Sequence, residues 1–464
     1  MSFKIIKNFK QSLKYFYNNF LPEYLRIKIS ILFDPLPQNR LRASISVRLE
    51  NFQACIKKLE VNNHVDNKNY YLHKVFKKHL VRSNLIDNDW WSDFILLVNS
   101  REESSFKKIN KSLIDRIDYS NFSSLYHFEI NDIYSLCIRF NLFELGYHLR
   151  QKSVEVALRY PSNLKKNENW KLKAKLSAFL ETENFQEVDK LFPLFQSKRE
   201  QEKYFLNYLR KILEINKNLS SKDQFFKIKS KQDIKFGKFI ENKKIAIVSP
   251  KPVSEKDGFK IDNSDIVIRT NNTLGNTINK GSRNDVIYFN LTTSEYIREN
   301  GCSKWPTDIK WAVGKARYYM DLMLKRLFLD RIDIENFNTR VFERIDNALF
   351  CGSLLVLPNI IVDILRYNPK EIYLYHFDLM LSKDRDYKKK LNLDYTKALA
   401  GHDPVTNFII LKLFWKKGFI KGDKYFEEVI KMETEDYMKN LQINYLTVIN
   451  NKLDKLKDLK INKF

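Results

Sequence analysis

Four short apolar runs, each entered from charged residues and left through polar ones, constrain this chain most: "KKIAIVSPKP", "DIVIRTNN", "DVIYFNL" and "KEIYLYHFD". An uninterrupted run such as Ile245–Val248 is what a strand buried on both faces of a sheet requires. "KWAVG", Lys310–Gly314, is a fifth candidate. Helical stretches separate several of the runs, notably "SLLVLPNIIVDILRYN" before Ile372. Strand, crossover helix, strand predicts an α/β domain with a mostly parallel sheet. Ligands of such sheets sit beyond the carboxyl ends of the strands. The residues to search are therefore Ser249, Pro250, Arg269, Asn271, Asn272, Asn290, His376 and Asp378.

The first half follows another period. From about Ser44 to about Asn216 apolar residues recur every three or four positions, the spacing of a helix face. Leu49, Phe52, Cys55, Ile56 and Leu59 make one face; Leu72, Val75, Phe76 and Leu80 make the next. "NWKLKAKLSAFLETENFQEVDKLFPLF" places Trp170, Ala174 and Ala178, then Val188, Leu191 and Phe195, on a helical hairpin that turns at Glu183-Asn184. "NDIYSLCIRFNLFELGYHLRQKSVEVALRYP" has the same form. The hairpins are similar to tetratricopeptide repeats without their steady period. At 464 residues the chain exceeds what one core serves. The expected division is an α-helical domain over 1–219, a linker over 220–242, an α/β domain over 243–430 and a basic helical tail over 431–464.

Lys and Arg outnumber Asp and Glu by 81 to 56, but the lysines are spread through every segment. No basic stripe interleaved with aromatics stands out, so nucleic acid is not an expected partner. The four cysteines Cys55, Cys137, Cys302 and Cys351 form no C-x-x-C pair and have no histidine at ligand spacing. Neither disulfides nor structural zinc are expected, and a reducing cytoplasm is the default setting. The first twenty residues are basic and amphipathic but do not have the form of a signal peptide. No run approaches the ~20 apolar residues of a membrane span. Contact with a membrane surface would come from Phe3, Ile6, Phe9, Leu13 and Phe16, against the alternative that this face packs on the protein.

Motifs narrow the chemistry by elimination. No G-x-G-x-x-G opens a helix after the first strand, no G-x-x-x-x-G-K-[ST] occurs, and no G-x-S-x-G elbow is present. Dinucleotide oxidoreductase, P-loop and α/β-hydrolase chemistries lose their main support. Asp384-Arg385-Asp386 is an Asp-x-Asp of the kind that holds a divalent metal on a nucleotide diphosphate, but it sits in a lysine-rich surface segment.

The stretch Lys243–Leu291 carries a more specific combination. An apolar strand and a turn are followed by Ile261-Asp262, Ser264-Asp265, Val267-Ile268-Arg269-Thr270-Asn271-Asn272 and then Gly281-Ser282-Arg283 leading into a strand. This resembles the large sialylmotif of glycosyltransferase family 29. Cys351–Asp378 resembles the small sialylmotif, and "GHDPVTNFIILKLFWKKGFI" sits where that family keeps its last motif, a histidine with an acid five positions on. The bacterial sialyltransferases of family 42 share the order.

The resemblance implies a GT-A-like sialyltransferase domain after the helical domain. It also implies inverting, metal-independent transfer of a sialic acid or related 2-keto sugar acid from its CMP donor to a glycan or glycolipid hydroxyl. No cofactor or metal is expected. CMP leaves as a monophosphate, which backbone N–H groups, tyrosine hydroxyls and a helix N-terminus neutralise without Mg²⁺. What remains is a base for the acceptor hydroxyl, and His402 matches that position; otherwise it is a polar neighbour of a helix start at Pro404 capped by Asp403. Asn271, with Asn272 as alternative, matches the nucleotide-contacting asparagine, although "NNT" also suits a turn. Gly352 and Ser353 match the Ser/Thr-Gly helix start. Tyr387 and Tyr395 are further candidates for the phosphate. Arg269 is expected to pair with Asp262 or Asp265, and His376, at a family glycine position, to pack at a strand end. The chain departs from the family at Ser249-Pro250, where Ser249 alone is left as the polar donor contact, and at Asn407, where an acid is usual. Those departures favour one alternative, a helical interaction protein with a decayed transferase domain; Asp384 and Asp386 favour another, a metal-dependent nucleotide-diphosphate-sugar transferase.

Overall fold

The computed structural model describes residues 86–100, 103–161, 169–195, 231–251, 253–270, 277–289, 309–315, 337–342, 354–382 and 403–445. The chain divides into two units, Met1–Leu136 and Cys137–Phe464. Up to residue 195 every described element is helical: α1 (Asn88–Asn99), α2 (Glu103–Asp115), α3 (His127–Arg139), α4 (Phe143–Leu158), α5 (Asn169–Glu181) and α6 (Phe185–Leu191), with two 3₁₀ turns. In the first unit Trp90, Trp91, Phe94 and Phe122 form a buried aromatic cluster, and the Trp90 indole donates to the Leu113 carbonyl at 3.2 Å. The hairpin turn expected at Glu183-Asn184 is present. Glu183 takes a left-handed φ of 57°, and the Asn184 side chain caps α6 by accepting from the Glu187 N–H at 3.4 Å. The apolar faces expected over residues 49–80 lie outside the described residues.

The second unit is built on a seven-stranded sheet, parallel throughout: β1 (Lys244–Val248), β2 (Ile266–Thr270), β3 (Val286–Phe289), β4 (Trp311–Lys315), β5 (Asn338–Phe342), β6 (Glu371–Tyr375) and β7 (Lys421–Gly422). The order across the sheet is β5-β4-β3-β2-β1-β6-β7. All five strands expected from the apolar runs are there. Helices α7 (Lys231–Ile240), α8 (Gly258–Asp262), α9 (Thr277–Lys280), α10 (Val356–Leu365), α11 (Pro404–Lys416), α12 (Lys424–Ile430) and α13 (residues 434–445) accompany it. The central strands are buried on both faces: Ile245–Val248 and all of β2 are inaccessible or nearly so. Each large apolar side chain buried there contributes about 1.5–3 kcal/mol.

Three segments differ from the expected division. Residues 231–240, taken as linker, form α7, because Phe236 and Ile240 have a place to be buried: Phe236 packs edge-on to Trp311 and Asp233 pairs with Arg340 at 2.7 Å. Residues 434–445, taken as part of a separate tail, pack on the same unit through Tyr437, Met438, Leu441 and Tyr445. The Tyr437 hydroxyl donates to the Leu379 carbonyl at 2.6 Å, and the Tyr437 ring stacks on Phe408 at 4.3 Å. Helices α4 and α5, assigned to the helical domain, belong to the unit of the sheet: Glu144 and Gln442 exchange hydrogen bonds, and Arg150 joins α4 to α11.

A buried polar knot ties the edge of the sheet to α10. Arg340 on β5 makes a two-pronged ion pair with Asp363 at 2.6 and 2.7 Å, and the Tyr288 hydroxyl donates to the same carboxylate at 2.7 Å. Burial alone would raise Asp363, but the Arg340 guanidinium holds it below the usual aspartate value.

Candidate functional site

The strand order fixes where a ligand belongs. From β1 the chain runs outward through β2 to β5, then crosses back to lay β6 on the other side of β1. The connections therefore part at the carboxyl ends of β1 and β6, which is where open α/β sheets hold ligands. Val248 is paired with Tyr375 there, and Ser249 and His376 are the next residues along each strand.

Ser249 is buried. Its N–H donates to the Tyr375 carbonyl at 3.0 Å and its hydroxyl oxygen accepts from the Lys251 N–H at 3.2 Å, which curls the chain sharply after β1. Lys251 brings a cation to this end of the sheet, 3.5 Å from the Asp378 carboxylate and over the Tyr425 ring at 4.7 Å. Tyr425 also donates to Glu255, so the segment after β1 is held against α12. After β6 the backbone is contorted: His376, Leu379 and Met380 all have positive φ, and Asp378 accepts from the N–H groups of Met380 and Ser382 at 3.1 and 2.8 Å. Lys251 carries no sequence signal beyond its place after the Ser-Pro turn.

The residues quoted for the large motif converge on one turn. Asp262 accepts from the Ser282 N–H at 2.8 Å, the Ser282 hydroxyl at 3.0 Å and the Arg283 N–H at 3.0 Å. Gly281, at φ +72°, is required here, because a Cβ would lie 2.3 Å from the Asp262 carboxylate. Arg283 returns bonds to the carbonyls of Asp262, Ser264 and Asp265. The expected pairing of Arg269 with Asp262 or Asp265 is not found. Fully buried, Arg269 donates to the carbonyls of Lys280, Gly281 and Arg283, and the carboxylate that pairs with Arg283 is Asp285 at 2.8 Å. Asp265 accepts from the Lys244 N–H at 2.8 Å. The combination thus builds a rigid frame at the amino ends of β1, β2 and β3, opposite the ligand end of the sheet.

The last motif is described from Asp403 onward. Asp403 caps α11 as expected, with Pro404 in the first turn: its carboxylate accepts from the Thr406 N–H at 3.2 Å and the Thr406 hydroxyl at 2.6 Å. Asn407 is buried and used at both ends. Its side-chain oxygen accepts from the Leu355 N–H at 2.7 Å, just before α10, and its NH₂ donates to the Asp403 carbonyl at 2.8 Å. A carboxylate cannot make the second bond. The amide therefore staples the start of α10 to the start of α11.

Beneath Asp403 lies a buried charge cluster with no sequence signature. Arg150 of α4 reaches Glu181 of α5 at 2.5 Å, Asp403 at 3.2 Å and the Thr406 hydroxyl at 2.9 Å. Two carboxylates share one guanidinium. Burial, opposed by Arg150 and reinforced by the Asp403 charge, pushes Glu181 up to about 7.

His376 is fully buried and meets Asp257, at the start of α8, and Asp423, at the start of α12; one ligand atom from each lies within 4.8 Å of the others. Its packing at a strand end agrees with the sequence expectation, and its φ of +64° is the conformation a glycine would take most easily. Burial, Tyr373 and the Asp257 and Asp423 carboxylates push the neighbouring Tyr375 phenol up to about 12.

Neither a protein-family model nor a curated protein matches the chain. Of the sequence-expected site residues, Ser249 stands at the carboxyl end of β1, whereas Asn271, Asn272, Gly352, Ser353 and His402 lie outside the described residues, as do Tyr387, Tyr395, Asp384 and Asp386. In sequence, Asn271 follows the last residue of β2, Ser353 precedes Leu354, and His402 precedes the cap Asp403.

Proposed function

We propose that the second unit is a GT-A-like glycosyltransferase domain that moves a sialic acid or related 2-keto sugar acid from its CMP donor to a glycan or glycolipid hydroxyl, with inversion. The carrying observation is the reversal of strand order at the carboxyl ends of β1 and β6, where Ser249, Lys251 and Asp378 stand; Asp262, Arg269, Gly281, Ser282 and Arg283 bond to one another in the turns that lead into the other ends of β2 and β3. In this reading CMP lies across the ends of β1 and β2, contacted by Ser249 and by Asn271 or Asn272. Gly352 and Ser353 offer backbone N–H groups to the phosphate, and Lys251 adds a positive charge. His402 takes the proton of the acceptor hydroxyl as that oxygen bonds to the anomeric carbon and CMP departs with the electron pair of its bond to the sugar. The transfer chemistry needs no metal and no cofactor. No described helix is long and apolar enough to cross a membrane. A cytoplasmic protein touching the inner membrane face through its basic first residues fits a glycolipid acceptor.

A second reading, a decayed transferase that serves as an interaction module, is favoured by Asn407, whose amide is spent on the staple between α10 and α11. A nucleotide thermal-shift panel separates the readings. Stabilisation by CMP or CTP without metal is expected for the transferase. A response only to UDP or GDP with Mn²⁺ points to Asp384 and Asp386, and no response to any nucleotide favours the interaction module.

A further inference from the structure

The cluster of Asp257, His376 and Asp423 has a charge and hydrogen-bond pattern that the transferase reading does not use. His376 Nε2 lies 3.3 Å from the Asn279 carbonyl oxygen. A carbonyl only accepts, so this contact puts a ring proton on Nε2 and turns Nδ1 toward Asp423. Nδ1 is buried, has no hydrogen-bond partner, and lies 3.2 Å from Asp423 Oδ2. A neutral Nδ1 and a carboxylate oxygen repel at that separation unless a positive charge stands between them, either a second ring proton or a metal ion, and a metal also draws in Asp257.

The surroundings are those of a first coordination shell held from behind. Asp423 is oriented by two backbone donors, with Oδ1 accepting from the Phe426 N–H at 3.1 Å and Oδ2 from the His376 N–H at 2.5 Å. A ligating imidazole whose other nitrogen donates to a backbone carbonyl, beside a carboxylate fixed by N–H groups, is the usual outer support of a metal site. Asp257 completes the group, with Lys260 its ion-pair partner at 2.8 Å on the exposed side. This is the one such group of ligand atoms among the described residues.

We infer that Asp257, His376 and Asp423 bind a divalent transition-metal ion, Zn²⁺ first among them, which clamps the segment after β1, the end of β6 and the start of α12 together. One imidazole and two carboxylates suit Zn²⁺, which prefers a few nitrogen and oxygen ligands at about 2.0–2.2 Å. Mg²⁺ is a poor match, since it favours an oxygen shell that keeps several waters. The ion has a structural role here and no part in sugar transfer, so the site stands independently of the function proposed above. The sequence offered no hint of it, because the three ligands come from segments 119 and 47 positions apart along the chain, none at a recognisable spacing.

The test is direct Zn²⁺ binding by the full, untagged chain after chelator treatment, read by competition with a chromogenic chelator and, with Co²⁺ in place of Zn²⁺, by visible absorption. One ion per chain is expected, with a Co²⁺ spectrum of low coordination number and a Zn²⁺-dependent rise in Tm. His376→Gly removes the ligand at a backbone position that glycine adopts without strain, and Asp257→Asn removes a carboxylate that is only partly exposed. Each is expected to weaken Zn²⁺ binding by roughly a hundredfold or more and to abolish the Tm response. Absence of Zn²⁺ and Co²⁺ binding by the wild-type chain overturns the proposal, as does equal affinity in wild type and both variants. Nucleotide binding is measured separately, so a failed CMP response leaves this result intact, and the reverse holds too.

Discussion

Replacing Glu181 by Gln tests the buried cluster under the last motif. Glu181 sits with Asp403 on a single guanidinium, and burial moves its pKa from the ordinary 4.5 to about 7. The folded state therefore holds a proton that the unfolded chain releases at lower pH. Stability from this group is fully present below about pH 4.5 and is lost as pH rises through about 7. At about 1.4 kcal/mol per pH unit of displacement, the loss between those limits is on the order of 3 kcal/mol. Gln keeps the acceptor oxygen for Arg150 and resembles the protonated carboxyl, so Glu181→Gln should not show that loss. Urea unfolding of both proteins at several pH values from 4.5 to 8 isolates the term as the difference between the two curves. The wild type should fall relative to Glu181→Gln as pH rises. Parallel curves, or a wild type that gains on the variant with rising pH, would refute the shared-guanidinium argument and mean that Arg150 satisfies both carboxylates.

Other substitutions probe the frame of the site. Asn407→Asp sets a carboxylate against the Asp403 carbonyl and should cost about 1–3 kcal/mol in urea unfolding. Arg340→Met strands the buried Asp363 carboxylate and should cost about 3–5 kcal/mol, and adding Asp363→Leu should recover much of the loss. Gly281→Ala forces a Cβ into the Asp262 carboxylate and should lower Tm, since it distorts the turn that leads into β3.

The elements legible in the sequence are those whose environment is uniform. β1, β2 and β3 lie inside the sheet, so Ile245–Val248, Ile266–Ile268 and Val286–Phe289 are apolar without interruption. β5 is an edge strand, and Asn338, Thr339 and Arg340 gave it no apolar run; Arg340 is buried only because Asp363, 23 positions away, neutralises it. β7 is two residues long, too short for any pattern. The same limit applies to function. The bonds among Asp262, Ser282 and Arg283 join residues of a single segment that the sequence already singled out. Arg150, Glu181 and Asp403, like Asp257, His376 and Asp423, meet only through tertiary packing across long sequence separations. Asn407 was legible as a departure, but its reason was not: the Leu355 N–H that its side chain accepts from comes from another motif.

The central claim is that this chain releases CMP from a CMP-linked 2-keto sugar acid with His402 as base. The direct measurement is CMP release from such a donor with acceptor present and no added divalent metal, by the full chain and by His402→Ala. Turnover by the wild type is expected, with His402→Ala retaining CMP affinity but turning over roughly a hundredfold or more slowly. Equal turnover by both proteins, or a wild type that neither binds CMP nor releases it from any such donor, would contradict it.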